Sequence, residues 1–240
     1  MNDITIDTFF EGRIQVKQNR SGYRFSIDAV LLAYYVRAGE GEKVVDLGTG
    51  CGIIPLILSY RHQGVRVVGV EVQEELAALA NHNVRDNGMA DRVSVLCADF
   101  KMVNPDAVSG PADWIVCNPP YRKAKSGRVN PDRERAIARH EIMATLRDIL
   151  DTAHRLLKVS GRFITIYPAE RMVDIITQMR SSGIEPKRIR IIYSRYRSEG
   201  KLILVEGTKG GRAGIKIAPP LAIYKEDGSY TEEVSRMFQP

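Results

Sequence analysis

The 240-residue sequence predicts an α/β fold: a mostly parallel sheet of seven strands, helices on both faces, and an antiparallel hairpin at its C-terminal end. Three observations carry that reading. From about residue 44, short β-branched runs alternate with helical stretches, which is the pattern of βαβ units. The runs at residues 43–47, 66–70, 93–97, 114–117 and 163–167 are nearly continuous in apolar side chains, as strands covered on both faces must be. The last two runs, 188–193 and 202–206, are separated by residues 194–200, a link too short for a helical crossover, so they pair antiparallel.

The remaining elements follow in order. Residues 22–36 form a helix that opens with Ser26 as N-cap and runs through Val30, Leu31, Leu32 and Tyr35; it precedes the first core strand and packs over the edge or mouth of the sheet. Helices cover 53–60, 74–87, 139–157 and 169–182, the third with an apolar face at Ile142, Leu146, Ile149, Leu150, Ala153, Leu156 and Leu157. Gly88 and Gly183 stand as C-terminal caps. Residues 207–240, with Gly207, Gly210, Gly211 and Gly214, Pro219-Pro220, an apolar stretch at 221–224 and the turn Asp227-Gly228, read as irregular chain plus a short strand or hairpin. The expectation is one domain, with an N-terminal extension (1–42), a core (43–206) and a C-terminal extension (207–240).

Composition is that of an ordinary globular chain, 44% hydrophobic and 27% charged, which excludes collagen-like repeats, coiled coil and wholesale disorder. Asp3 and Asp7 stand where a secretory signal would be cationic, and no apolar stretch approaches membrane-spanning length, so a cytoplasmic protein without membrane attachment is expected. Cys51, Cys97 and Cys117 are odd in number and lack C-x-x-C spacing, which predicts reduced thiols and no metal site. Charge is uneven. Residues 1–118 hold 11 Lys/Arg against 15 Asp/Glu, whereas residues 119–240 hold 24 against 14, so a net −4 faces a net +10. The basic residues are interleaved with Tyr, Pro and Gly and follow no amphipathic helix, which favours a nucleic-acid partner over a membrane.

The first core strand runs into Asp46-Leu47-Gly48-Thr49-Gly50-Cys51-Gly52, and a helix follows at once. Glycines there let the backbone approach a bound molecule, and the helix start offers unpaired N–H groups. The spacing is G-x-G-x-G, one residue short of the dinucleotide fingerprint, which weakens a nicotinamide-cofactor reading. Glu71, with Val72 after it, ends the second strand, where an acid can accept ribose hydroxyls. Asp99 follows the third strand, and Phe100 offers a ring to an adenine. The three features mark successive strand ends, the place where open α/β sheets bind ligands.

After the fourth strand comes Asn118-Pro119-Pro120-Tyr121. At Pro usage of about 5%, such a tetrapeptide arises by chance roughly once in a hundred chains of this length. Proline fixes φ and carries no N–H, so the Asn118 side-chain oxygen and the Pro119 carbonyl can converge as two acceptors with no competing donor. Two acceptors suit an NH₂ group, and Tyr121 offers a flat face for a planar amide or base.

Residues 44–52, Glu71, Asp99 and the tetrapeptide resemble, in order and spacing, the class I S-adenosylmethionine-dependent methyltransferases that act on exocyclic or amide nitrogen. The resemblance runs from about Tyr23 to Glu206 and implies a Rossmann-like class I methyltransferase fold with S-adenosylmethionine as cofactor. Within that group, Tyr23-Arg24-Phe25-Ser26-Ile27-Asp28, Leu31-Leu32-Ala33 and Arg139-His140-Glu141 resemble the bacterial methyltransferases of a valine-tRNA adenine beside the anticodon. The likeness implies that Asp46, Gly48 and Gly50 line the methionine side of the cofactor, that Glu71 holds the ribose, that Asp99 meets the adenine, and that Phe25 and Asp28 approach from the N-terminal helix. His140 is expected to have a structural or RNA-orienting role, not that of a general base.

Adenine in DNA, adenine in RNA and the glutamine amide of proteins are all acceptors for this motif. Residues 122–139 carry seven Lys/Arg against Asp132 and Glu134 and read as a basic flap beside the pocket, with Arg122, Lys123, Lys125, Arg128 and Arg139 as RNA contacts. Residues 187–201 add a second basic stretch with Tyr193 and Tyr196. Extracting a base costs a few kcal/mol in a duplex and less in a loop, so a tRNA loop is the favoured substrate. Protein glutamine methylation is the first alternative, and the roughly 40 residues before the first core strand leave little room for a partner-recognition domain. A non-catalytic RNA-binding module with a cofactor fold is the second.

Overall fold

A computed structural model describes residues 4–19, 27–119 and 144–239. Two antiparallel strands open the chain, β1 (Ile4–Phe9) and β2 (Ile14–Asn19), followed by helix α1 (Ile27–Tyr35). The core then runs β3 (Lys43–Leu47), α2 (Ile53–Arg61), β4 (Arg66–Glu71), α3 (Glu74–Asp86), β5 (Val93–Cys97) and β6 (Ala112–Cys117). After the undescribed residues come α4 (Leu146–Leu156), β7 (Leu157–Pro168), α5 (Met172–Ser181), β8 (Ile184–Tyr193) and β9 (Gly200–Lys209). Two-residue strands β10 (Lys216–Ile217) and β11 (Leu221–Ala222) and helix α6 (Glu232–Met237) complete it.

The main sheet is ordered β10-β8-β9-β7-β6-β3-β4-β5, and β11 pairs with β8 as well. β3 to β7 are mutually parallel, whereas β9 lies between β7 and β8 and is antiparallel to both. The seven expected strands are therefore present with the expected hairpin, and the additional two are the short parallel pairings of the C-terminal segment. Alternation along each strand divides the core between two faces. Val44, Val67, Trp114 and Val116 join α1, α2, the β1–β2 hairpin and α6 on one side. Val45, Leu47, Val70, Ile115 and Phe163 join α4 and α5 on the other.

Several expectations are corrected. The sequence hid the β1–β2 hairpin: its turn, Phe10, Glu11 and Gly12 all at positive φ, lacks the Asn-Gly or Asp-Gly pair that marks a hairpin. The helix expected over 139–157 begins, in its described part, at Leu146. Thr145 is extended and forms a capping box with Asp148, so each side chain accepts the other's backbone N–H. Leu157 belongs to β7, and residues 169–171 form a 3₁₀ turn ahead of α5. The C-terminal segment is more ordered than expected, with α6 capped by the Thr231 side chain. The turn at Asp227-Gly228 is present, closed by Lys225 N–H to Ser229 O at 2.8 Å. Gly88 and Gly183 cap their helices at φ 65° and 74°. Ser26 lies outside the described residues. No helix among those described is long and apolar enough to cross a membrane.

Candidate cofactor and acceptor site

The site forms where the carboxyl ends of β5, β4, β3 and β6 stand in a row, with Cys97, Glu71 and Leu47 in neighbouring register positions and Leu47 opposite Cys117. The row spans about 14 Å, three strand spacings. After Leu47 the chain turns sharply: the N–H groups of Gly48 and Thr49 both donate to Val70 O, at 2.8 and 3.0 Å. Gly48, Gly50 and Gly52 have φ of 75°, 57° and 86°, a backbone that side chains disfavour. A Cβ on Gly48 would meet no atom within 4 Å, so space is open beside the turn, whereas one on Gly52 would press on Ala80 at 3.2 Å.

Glu71 is buried and braces this turn. Its Oε2 accepts from Gly50 N–H at 2.9 Å and its Oε1 from Gln73 N–H at 3.0 Å. A carboxylate has about four acceptor directions, so capacity for ribose hydroxyls remains. Asp46 lies on the same face, fully buried, and neither of its oxygens has a well-formed hydrogen bond among the described residues. Desolvation pushes its pKa up to about 7, with the Thr49 hydroxyl pulling the other way and the Glu71 charge adding to the rise. An unpaired buried acid is costly unless a ligand completes it.

Asp99 sits two residues past β5, where its side chain accepts from Lys101 N–H at 3.0 Å and pairs with the Lys101 ammonium at 3.3 Å. Phe100 is half-buried against the second core face. Val72 is exposed beside Glu71, and Asp28 is half-buried in the first turn of α1. Asn118 is half-buried and Pro119 buried, directly after β6, whose last residue Cys117 is tied to Leu47 O by its thiol at 3.3 Å. Asp46, Gly48, Gly50 and Glu71 are thus brought together, with Asn118 and Pro119 one strand to one side and Val72, Asp99 and Phe100 on the other. Phe25, Pro120, Tyr121, Arg122, Lys123, Lys125, Arg128, Arg139 and His140 lie outside the described residues.

Sequence reasoning missed Asn83. This fully buried residue of α3 donates to Cys51 O in the glycine turn and to Lys17 O in β2, and accepts from Lys17 N–H, all at 2.9 Å. One turn on, Asn87 pairs in the same way with the N–H and C=O of Gln15, at 2.9 and 2.7 Å. A pair of asparagines at i and i+4 toward the buried side of a helix was the available signal. All three cysteines are free thiols.

Residues 21–181 match the family of the methyltransferase small domain. The chain belongs to that family. Among curated relatives, the methyltransferase is 30% identical over 245 residues to the tRNA1(Val) (adenine(37)-N6)-methyltransferase of Porphyromonas gingivalis, covering 98% of this chain and 94% of the relative. The protein of the same description from Shewanella woodyi is 26% identical over 229 residues, covering 92% and 93%. Among solved structures, a predicted O-methyltransferase from Agrobacterium tumefaciens superposes with TM-score 0.71 at 23% identity, covering 88% of this chain and 94% of that one. A geranyl diphosphate C-methyltransferase from Streptomyces coelicolor A3(2), in complex with S-adenosyl-L-homocysteine, superposes at 0.55 and 17%, covering 75% and 74%. The fold is that of the class I methyltransferases, and the cofactor is S-adenosylmethionine. The residues present suit it: an orphaned buried acid and open space beside a glycine turn.

Proposed function

We propose that this methyltransferase acts on the exocyclic N6 amine of an adenine in RNA, most specifically in a tRNA near the anticodon. The observation that carries the reading is the adjacency of Asn118-Pro119 to the glycine turn, one strand apart on the sheet's carboxyl edge. Both relatives quoted above are described as tRNA adenine-N6 methyltransferases, which supports the same substrate class. S-adenosylmethionine supplies an activated methyl on a sulfonium whose departure leaves a neutral thioether.

The chain's own residues then have two tasks. Asp46, Gly48 and Gly50 hold the methionine side of the cofactor, Glu71 the ribose, and Asp99 with Val72 and Phe100 the adenine end. Asn118 Oδ1 and the Pro119 carbonyl accept the two N–H bonds of the incoming amine, which turns its lone pair out of ring conjugation and toward the methyl. Tyr121 offers its ring to the base, Pro120 adds no competing N–H, and Phe25 and Asp28 are assigned to the cofactor from the N-terminal side. As the N–C bond forms, the amine becomes acidic and its proton passes to solvent, so no strong general base is needed. Arg122, Lys123, Lys125, Arg128 and Arg139 grip the phosphates around the target.

Incubation with methyl-labelled cofactor and either bulk tRNA or a release-factor protein tests the reading. Label in tRNA, recovered as N6-methyladenosine, is the expected result. Label in protein glutamine, or in neither acceptor, would reject it.

A further inference from the structure

The turn between β8 and β9 stands on the same edge of the sheet as the acceptor site. Cys117 is in register with Thr165, Thr165 with Val205, and Val205 with Ile189, so β8 can be levelled against β6 across three strand steps. Asn118 lies one residue beyond that level, whereas β8 continues four residues beyond it to Tyr193 before the chain turns. The turn at residues 194–199 therefore leaves the sheet from the same edge as Asn118, three strand spacings, about 14 Å, to its side.

This arm is firmly built. Ile223 and Tyr224 lie along it, donating their N–H groups to Tyr193 O and Ser194 O, both at 2.9 Å. Tyr224 stacks on Tyr230 at 5.4 Å between ring centroids, and Tyr230 on Phe238 at 5.3 Å. The tip is closed by Ser198, whose N–H donates to Arg195 O at 3.0 Å while its hydroxyl accepts from Arg195 N–H at 3.1 Å. At the apex Tyr196 is 70% exposed between Arg195 and Arg197, themselves exposed and in no ion pair among the described residues. An exposed ring flanked by two unpaired guanidinium groups, on a braced hairpin above a catalytic edge, has the chemistry of a base-stacking platform with phosphate contacts on both sides.

We infer that the 194–199 arm is an RNA-docking element: Tyr196 stacks an unpaired base of the loop that carries the target, and Arg195 and Arg197 contact its flanking phosphates. The inference rests on the RNA-substrate reading and goes beyond it by assigning a contact to residues other than Asn118–Tyr121 and the basic stretch 122–139. Stacking needs an unstacked base, so the arm favours a loop over a blunt duplex of equal charge.

Affinities of the full chain for an unmodified tRNA transcript, its anticodon stem-loop and a blunt RNA duplex, measured by fluorescence anisotropy alongside methyl transfer, test the arm. Tyr196→Ala is expected to weaken tRNA and stem-loop binding by at least about five-fold and to erase the preference over duplex, whereas Tyr196→Phe retains both. The double variant Arg195→Gln, Arg197→Gln is expected to reduce the log–log salt slope by about 1.4. Affinity for S-adenosylmethionine in the same preparations stays at the parent value, showing that each variant is folded. Tyr196→Ala binding within about two-fold of a parent that methylates tRNA overturns the arm and leaves the substrate reading standing. A parent that binds tRNA through the arm yet transfers no methyl supports the arm and overturns that reading. A parent that neither binds nor methylates tRNA overturns both.

Discussion

At the scale of single residues, the tasks proposed for Asn118 and Asp46 are separable, and the separation can be measured. If Asn118 Oδ1 acts on the amine, Asn118→Ala should slow single-turnover methyl transfer by about 10²-fold while the Kd for S-adenosylmethionine moves by less than about two-fold. A wild-type single-turnover rate would remove Asn118 from the chemistry. The task proposed for Asp46 depends on its proton. Its folded pKa of about 7 is above the ordinary 3.8 because the carboxyl is buried. A carboxyl raised in this way stabilises the fold fully below about pH 4, and that contribution is lost as the pH climbs through 7. In the proposed site, the ammonium on the methionine side of the cofactor would favour the charged form and draw the pKa back down. Cofactor affinity should therefore strengthen as the pH rises toward about 7, by up to about ten-fold per unit, and level off above it. Calorimetric titration of the parent and of Asp46→Asn checks this, the variant being expected to give a flatter profile.

At the scale of elements, α3 joins the N-terminal hairpin to the glycine turn. Asn83 and Asn87 serve the outer edge of β2 as a partner strand would, each amide pairing with the N–H and C=O of one residue. Asn83→Ala would leave Lys17 and Cys51 backbone groups unpaired in a buried place. A loss of about 2–4 kcal/mol in denaturant unfolding is expected, with weakened cofactor binding because the turn loses its brace. Unchanged cofactor affinity in a destabilised variant would confine Asn83 to the hairpin. The Asn83/Asn87 spacing was the only trace of this in the sequence, since a buried polar residue is explained by partners distant along the chain. By contrast β3, the glycine turn and α2 were legible, because an apolar run, three glycines and an apolar helix are all local signals. The start of α4 was misjudged for a related reason: apolar periodicity runs back to Ile142, but the Thr145–Asp148 capping box sets where the described helix begins.

At the scale of the molecule, the termini are fastened to the core. Arg190 of β8 donates to both Glu233 oxygens, at 2.6 and 2.8 Å, and to the Tyr35 hydroxyl of α1, while Tyr35 donates to Glu233. We propose that extensions and core unfold as one unit, as expected of a single domain. Fluorescence of Trp114, the sole tryptophan and fully buried, should then track far-UV circular dichroism in urea. Glu233→Ala should shift both curves together by about 1–2 kcal/mol; separate transitions would divide the chain. Sheet class and hairpin were legible in the sequence, but the insertion of β9 between β7 and β8 and the docking of α6 on α1 depend on long-range packing that no local pattern records. The proposed function depends on where donor and acceptor meet. A crystal structure of the chain with S-adenosylhomocysteine and an adenine nucleoside tests this most directly. The expected result has the thioether beside the Gly48–Gly50 turn and the adenine amine within hydrogen-bond distance of Asn118 Oδ1 and the Pro119 carbonyl. Either ligand seated away from that corner, or the corner closed by side chains, would contradict it.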